Sequence, residues 1–260
     1  MATALKKKPA PNRAVATKQT TAVVGKADMP DYLRKSKGRG NEAVGMADVV
    51  IPRLEVVQAL SPCLKKNDPA FIAGSEVGDL FNSVTRENYG QTVELIPVIF
   101  KKQWLVWTDR RKGGGFKGAF DTPTQAAARI KEEPNPADHE AMETAQQLCL
   151  IRKEDGATEE IVVSMSRTKL KVSRQWNSLI RLTTGDADRF TGVYSMFSVD
   201  DSNANGDEYK NFGVQFVGYP TEDQYKAAAA LYEAIESGKR ELKADPSQEG
   251  IETADTGGEY

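Results

Sequence analysis

The run Thr92-Val-Glu-Leu-Ile-Pro-Val-Ile-Phe100 decides the fold class of this chain, and Gln103-Trp-Leu-Val-Trp-Thr108 continues its character. β-Branched and aromatic residues dominate both stretches, which is typical of β-strands. Further short segments of the same type lie around them, separated by turn residues such as those at 155–156 and 205–206. The sequence therefore predicts about six to nine short strands, most of them joined by hairpins.

Helices are predicted at two places, 168–183 and 221–237, where apolar residues recur at helical spacing. Residues 122–145 are rich in Ala, Glu and Gln and interrupted by prolines, which suggests helical pieces and a loop. Together these elements predict an α+β fold with two or three helices. Its antiparallel, strongly curved sheet is expected to close as a small β-barrel.

Charge divides the chain into three parts. Residues 1–41 hold ten Lys or Arg and two Asp, whereas residues 241–260 hold six acidic residues and one Lys. Neither end has enough large apolar side chains to offset the entropy of ordering it. The sequence thus predicts a disordered basic arm over residues 1–45, a single domain over 46–238, and a disordered acidic tail over 239–260. An arm and a tail of opposite charge suggest a protein that handles a polyanion, although both ends could serve only solubility.

Several function classes find little support in the composition. No apolar run approaches the ~18–20 residues that cross a bilayer, so we expect no membrane segment and a cytoplasmic location. Cys63 and Cys149 lack the spacing of disulfide frameworks or zinc sites, and His139 is the only histidine. The carboxylates form no recognisable acid–base pair. We therefore expect no cofactor, no metal and no enzymatic activity.

One segment resembles half of a calcium loop. Asp201-Ser-Asn-Ala-Asn-Gly-Asp207 reproduces the front of that pattern. Phe212 stands where the pattern requires a bidentate Glu, and the flanking residues have strand character. A hairpin turn is the expected structure.

The first candidate site lies at 101–117, which nets +5 and contains three aromatic residues. Single-stranded nucleic acid needs cations along its phosphates and flat rings on which bases stack. The residues assigned to these roles are Lys101, Lys102, Trp104, Trp107, Arg110, Arg111, Lys112, Phe116 and Lys117. Trp104 and Trp107 are three positions apart and should point to opposite faces of a strand, so that only one is a stacking platform. The alternative is two core tryptophans beside a solvated turn.

The second candidate site is the helix at 167–181, which also nets +5 and has no acid. Its proposed phosphate contacts are Arg167, Lys169, Lys171 and Arg174. An exposed helix usually mixes charges, so a helix of one sign indicates an anionic partner. The remainder of 42–240 then nets −15, and this segregation favours a positive groove. Pairing with that acid-rich remainder is the alternative.

Three motifs resemble a family of tailed-phage proteins described as single-stranded-DNA-binding proteins. They are Ile51-Pro-Arg-Leu-Glu-Val-Val-Gln-Ala-Leu-Ser-Pro62, Gly78-Asp-Leu-Phe-Asn-Ser-Val-Thr85 and Ser173-Arg-Gln-Trp-Asn177. The resemblance covers about residues 48–235. It implies a core similar to an OB-fold barrel, with single-stranded DNA as the ligand in replication or recombination.

The C-terminus carries a second resemblance. Single-stranded-DNA-binding proteins of bacteria and phages often end in an acidic segment closed by an aromatic residue, and this chain ends similarly in Asp255-Thr-Gly-Gly-Glu-Tyr260. The resemblance implies that Glu252, Asp255, Glu259 and Tyr260 dock phage or host replication and recombination proteins. We also expect that the protein can form a homo-oligomer. The alternative functions are a virion structural or DNA-packaging protein and a nuclease.

Overall fold

The computed structural model describes residues 39–44, 49–153, 156–203 and 206–238. The short segment 39–44 belongs to a separate unit and makes an exposed turn, in which the amide of Val44 donates to the carbonyl of Asn41. Most of the predicted basic arm and the whole predicted acidic tail lie outside the described residues. All other elements belong to the second unit, which starts at residue 45.

That unit contains nine strands and three α-helices among its described residues. The strands are β1 (Leu54–Val56), β2 (Leu80–Asn82), β3 (Asn88–Gly90), β4 (Thr92–Thr108), β5 (Phe116–Phe120), β6 (His139–Arg152), β7 (Thr158–Ser166), β8 (Val193–Ser202) and β9 (Glu208–Gly218). The helices are α1 (Pro123–Lys131), α2 (Leu170–Thr184) and α3 (Glu222–Glu236). None of these helices is long and apolar enough to span a membrane.

The strands form two antiparallel sheets. A small sheet has the order β1-β2-β3, and a six-stranded sheet has the order β7-β6-β4-β8-β9. The sixth strand, β5, pairs with the same long β4 near its end, where Trp104 lies opposite Phe120. The predictions of an α+β fold, antiparallel pairing and two or three helices are therefore confirmed.

The large sheet has helices on both faces. We call one the α2 face: Val172, Trp176 and Ile180 pack there against Cys149 of β6 and Met196 of β8. On the other, the α3 face, Ala228 and Leu231 pack against Ile96 and Leu148. The small sheet contributes to the core of the α2 face through Leu54, Val56 and Leu80. Both faces of the sheet are thus occupied by packed apolar side chains from elsewhere in the chain.

The predicted OB-like barrel is not confirmed. The outer strands β7 and β9 pair with β6 and β8, and they do not pair with each other. Residues 52–58 run between them instead: Val162 donates its amide to the carbonyl of Pro52, while the Gln58 side chain bonds the backbone of Lys210.

The largest difference between the predicted and observed secondary structure is at strand β6. Residues from His139 onward form a strand of 14 residues, although the composition of 122–145 suggested helix and loop. Strand β6 lies between β4 and β7, and its residues from Thr144 to Ile151 are all buried. Pairing on both edges outweighs the weak strand propensity of Ala, Glu and Gln. Helix α1 does occupy the first part of the segment, with a capping box formed by Thr122 and Gln125.

The hairpin expected at 201–207 is confirmed. Three hydrogen bonds join Asn203 and Asp207. The Asn203 amide donates to the Asp207 carbonyl at 3.1 Å, the Asn203 side-chain amide donates to the Asp207 carboxylate at 2.8 Å, and the Asp207 amide donates to the Asn203 side-chain oxygen at 2.9 Å. Gly206 has a φ of +87°, which suits glycine in a tight turn.

Two residues of the second resemblance motif stabilise the small sheet. The Asn82 side chain is fully buried, accepts the amides of Val84 and Thr85, and donates to Glu159 of β7 at 2.7 Å. The Asp79 carboxylate accepts from the Asn88 side chain at 2.8 Å. Asn82 and Asp79 therefore have structural roles, in forming a turn and in packing the small sheet.

Candidate nucleic-acid interface

The structure divides the predicted strand residues between the two faces of the sheet. Directly opposed residues on neighbouring strands share a face. Lys102 and Trp104 oppose Ala145 and Glu143, which places them on the α2 face. Lys101 and Trp107 alternate with them and lie on the opposite face.

The two tryptophans have different environments, as expected from their spacing. Trp107 is 5% exposed and packs against Phe116, with 5.0 Å between the ring centroids. Trp104 is only half-buried, and the Lys102 ammonium lies 5.0 Å from its ring centroid. Trp104 is therefore the more accessible of these two tryptophans, whereas Trp107 and Phe116 pack against each other.

The basic tip between β4 and β5 is exposed. Arg110–Lys112 form a single 3-10 turn, and the Asp109 carboxylate caps it by accepting the amide of Arg111 at 2.8 Å. Arg110, Arg111 and Lys112 all present their side chains to solvent. The next basic residue, Lys117, is half-buried and lies 3.4 Å from Glu133.

The predicted cationic side chains on α2 and in the turn that precedes it have different environments. The Arg167 guanidinium contacts Glu140 at 2.6 Å, and the Lys171 ammonium contacts Asp201 at 2.6 Å. The Lys169 ammonium lies 5.4 Å from the ring centroid of Phe212. Arg174 is exposed and makes no ion pair with any residue that the structure describes.

Ion pairs thus involve more than half of the predicted phosphate-binding side chains. These are Lys102, Arg111, Lys112, Lys117, Arg167 and Lys171. Exposed pairs of this kind contribute only about 0–1 kcal/mol to stability, but each carboxylate reduces the positive potential around its partner. The acid-rich remainder of the domain does neutralise much of the two basic segments.

The structure places a second group of residues on the α2 face that sequence analysis did not single out. The guanidinium carbon of Arg189 lies 5.6 Å from the ring centroid of Phe100. The same guanidinium donates to the side-chain oxygens of Gln147 and Asn177, the latter at 2.7 Å. Gln147 in turn donates to Asn177 at 3.3 Å. Phe100 keeps 38% of its surface exposed, so its ring is accessible.

Arg189 is a half-buried cation with neutral partners. Among the described residues it contacts amide oxygens and an aromatic ring but no carboxylate, and its Nε atom is buried without an acceptor. Burial lowers the pKa of Arg189 from its ordinary value, although an arginine keeps its charge in proteins. A buried charge without a counter-ion is costly. An anion at this position would reduce that cost.

Helix α2 adds two more cations beside this group. Arg174, Asn177 and Arg181 recur at i, i+3 and i+7, which places them on one side of the helix. Arg174 and Arg181 are exposed, and neither pairs with an acid in the part of the chain that the structure describes. Since Asn177 reaches Gln147 and Arg189, the two arginines flank that contact.

We call this set the α2-face cluster: Phe100, Lys102, Trp104, Arg174, Arg181 and Arg189. Phe100 and Trp104 are four residues apart on one strand, about 13 Å, which leaves room for a base on each ring. The cluster therefore combines two accessible rings with four cations, three of which have no carboxylate partner among the described residues. Only Lys102, Trp104 and Arg174 were assigned roles by the sequence analysis. The others come from separate elements, and the chain shows no spacing that links them.

Comparisons with known proteins identify a family for this chain. The family model of the Pam3 phage gp34-like protein matches residues 18–241, which is most of the chain. No curated protein matches the sequence, and no solved structure matches the fold. We conclude that the chain belongs to the family of Pam3 phage gp34-like proteins.

Proposed function

We propose that this phage protein binds single-stranded DNA through the α2-face cluster and makes or breaks no bond in it. The observation that carries the proposal is the contact between Arg189 and the half-exposed ring of Phe100. It pairs a cation that lacks a described counter-ion with an aromatic surface. Phosphate and base are the two groups that such a pair accommodates.

The arrangement favours single strands over duplexes. Base–aromatic stacking contributes about 1–3 kcal/mol per base, and it requires bases whose faces are free. Phe100 and Trp104 lie along one strand with Lys102 between them on the same face. Arg174 and Arg181 line the neighbouring helix, so a strand crossing this face meets rings on one side and cations on the other.

The remaining predicted residues have smaller roles in this proposal. Arg110, Arg111 and Lys112 extend the phosphate track at the exposed tip. Arg167, Lys169 and Lys171 contribute mainly to local packing and ion pairing. We further propose that the protein acts in replication or recombination in the cytoplasm of the infected host. In this role Glu252, Asp255, Glu259 and Tyr260 would recruit replication or recombination proteins.

A fluorescence titration with oligo-dT tests the proposal. Trp107 and Trp176 are 5% and 0% exposed, so quenching should come from Trp104 and disappear in Trp104→Phe. With about four phosphates contacted, log affinity should fall with log salt at a slope of roughly −3. A flat salt dependence, or equal affinity for duplex DNA, would contradict the proposal.

A virion structural or packaging protein is the second candidate. The ion pairing of six predicted phosphate contacts favours it, because those lysines and arginines then serve the fold and not a ligand. Purified phage particles distinguish the two candidates. A virion protein should be present in them in a fixed copy number, whereas a replication protein should be absent.

A further inference from the structure

Strand β9 is an edge strand of the six-stranded sheet. The first half of its outer edge is hydrogen-bonded by a side chain from elsewhere in the chain, and the second half is not paired with another strand. At the start of the strand, the Gln58 side chain accepts the amide of Lys210 at 2.9 Å and donates to its carbonyl at 2.8 Å. Gln58 therefore satisfies the backbone as a neighbouring strand would. The Lys210 ammonium also contacts Asp200 at 2.6 Å, which places charge at this end of the edge.

The contact with Gln58 reveals which backbone groups point outward. The amide and carbonyl of Lys210 point away from β8, and backbone direction alternates along an antiparallel strand. The irregularity in the β8–β9 pairing lies only between Val193 and Tyr194, at the far end. Phe212, Val214 and Phe216 therefore also direct their backbone groups outward. The amide of Phe212 is satisfied by the Asn211 side chain at 2.8 Å.

Apart from the irregular pairing near its end, the second half of the edge has little of the usual protection among the described residues. The sequence Phe212-Gly-Val-Gln-Phe-Val-Gly-Tyr219 contains no charged residue and no proline. Natural edge strands normally carry lysine, proline or a covering element, because a bare apolar edge pairs with another chain. Val217 is 46% exposed and Tyr219 is 69% exposed. Strand β1 packs near β9, but among the described residues no strand pairs with this edge.

We propose that the outer edge of β9 pairs with the same edge of a second copy of this chain. An uncharged strand can lie antiparallel to its own copy without like-charge repulsion, and a two-fold axis makes the contact self-complementary. The segment from Gly213 to Tyr219 offers no charged side chain of its own to a strongly charged partner. The two large sheets would then join as one continuous sheet.

The geometry of this pairing has a consequence for the α2 face. Antiparallel strands that extend one sheet are related by an axis perpendicular to it, so both copies present the same face on the same side. The two α2-face clusters would lie on one side of the dimer, available to a single ligand strand. The dimer itself does not depend on the proposed function, because it rests on the edge of β9 alone.

Sedimentation equilibrium of the full chain across a range of concentrations tests the proposal. The unmodified protein should show a reversible monomer–dimer equilibrium. The variant Gln215→Lys/Val217→Lys places cations at two exposed edge positions and should raise the dimer dissociation constant by about tenfold or more. The matched control Leu60→Lys/Val84→Lys adds two cations at exposed apolar positions elsewhere and should leave the constant unchanged.

Two results would overturn the inference: a monomer at every concentration, or a dimer that the edge variant leaves as tight as the control does. Thermal melts of both variants show whether each remains folded. Oligo-dT affinity measured at concentrations where the protein is monomeric separates this question from DNA binding. Failure of one proposal is then recognisable without failure of the other.

Discussion

The ammonium of Lys171, on the first turn of α2, lies 2.6 Å from a carboxylate oxygen of Asp201 on β8. The same oxygen accepts from the Asn211 amide at 2.8 Å and from the Tyr209 hydroxyl at 3.1 Å. A lysine that the sequence analysis assigned to phosphate binding thus fastens the helix to the β8–β9 hairpin. Asp201 is the centre of that attachment.

Asp201→Asn should destabilise the domain at neutral pH by about 1–2 kcal/mol, since it removes charge-assisted hydrogen bonds. The Lys171 ammonium and then the Asn211 amide hold the pKa of Asp201 well below its usual range. A lowered carboxyl pKa stabilises the fold above the unfolded-state value of about 4, and that stability is lost as pH falls through the folded-state pKa. Urea unfolding should be measured from pH 7 to pH 3. The difference in free energy of unfolding between the unmodified protein and Asp201→Asn should become smaller as the pH falls.

Glu222→Gln provides the control for that measurement. Glu222 pairs with Lys226 on α3, but both side chains are more than half exposed, at 80% and 66%. Removing such an exposed pair should change the free energy of unfolding little at any pH. If Asp201→Asn and Glu222→Gln lower the free energy of unfolding equally, Asp201 has no special role in the attachment of α2.

Arg174→Gln/Arg181→Gln should weaken oligo-dT binding and make the salt slope shallower by roughly 1.4, about 0.7 for each phosphate that is no longer neutralised. Both guanidinium groups are exposed and lack an acid partner among the described residues, so the fold should be unaffected. Binding isotherms at several salt concentrations measure the slope. Lys226→Gln removes an exposed cation from α3 on the other side of the sheet, and an equal change there would indicate only a reduction of net charge.

Phe100→Ala should reduce oligo-dT affinity by about 5- to 150-fold, because one stacking surface is worth about 1–3 kcal/mol. Phe71→Ala is the matched control, since the two residues are 38% and 37% exposed and Phe71 lies outside the α2-face cluster. Fluorescence titration of both variants at one salt concentration makes the comparison. Similar affinities for the two variants would remove Phe100 from the proposed interface.

Gly213→Ala should destabilise the domain by about 1–3 kcal/mol through overpacking. A Cβ at this position would lie 2.5 Å from the Phe197 ring, which covers the glycine on the neighbouring strand. The cost should largely disappear in a Phe197→Ala background, where the ring is absent. A double-mutant cycle measured by urea unfolding tests this coupling. Additive losses would show that the cost of Gly213→Ala does not come from contact with the Phe197 ring.

Much of the fold was predictable because its signals are local. The apolar stripe at 168–183 corresponds to α2 at Leu170–Thr184, and the stripe at 221–237 corresponds to α3 at Glu222–Glu236. The first half of strand β6 was missed because its identity depends on partners on both edges and not on its own composition, whereas its end was predicted as a strand before the turn at 155–156. The continuity of β4 through Pro97 was predicted from the strand character of residues 92–100, but the irregular pairing beside the proline was not. A register shift at that proline lets the strand continue.

The candidate site was predictable only where its residues are close in sequence. Lys102 and Trp104 emerged from a basic and aromatic run, and Arg174 from a helix of one charge. Arg189, Gln147 and Asn177 come from three different elements and meet only through the tertiary fold. Sequence spacing also could not distinguish a lysine that faces a ligand from one such as Lys171 that contacts an acid.

Strand β4 uses one edge for two partners that are far apart in sequence. Its beginning pairs with β8, where Thr92 lies opposite Phe197, and its end pairs with β5, where Trp107 lies opposite Phe116. The second pairing is local and can form as soon as β5 is synthesised, whereas the first must wait for about 100 further residues of chain. During synthesis the N-terminal part of β4 therefore has an open apolar edge until β8 emerges. Sequence-distant pairing of this kind is expected to slow folding, which refolding kinetics would measure.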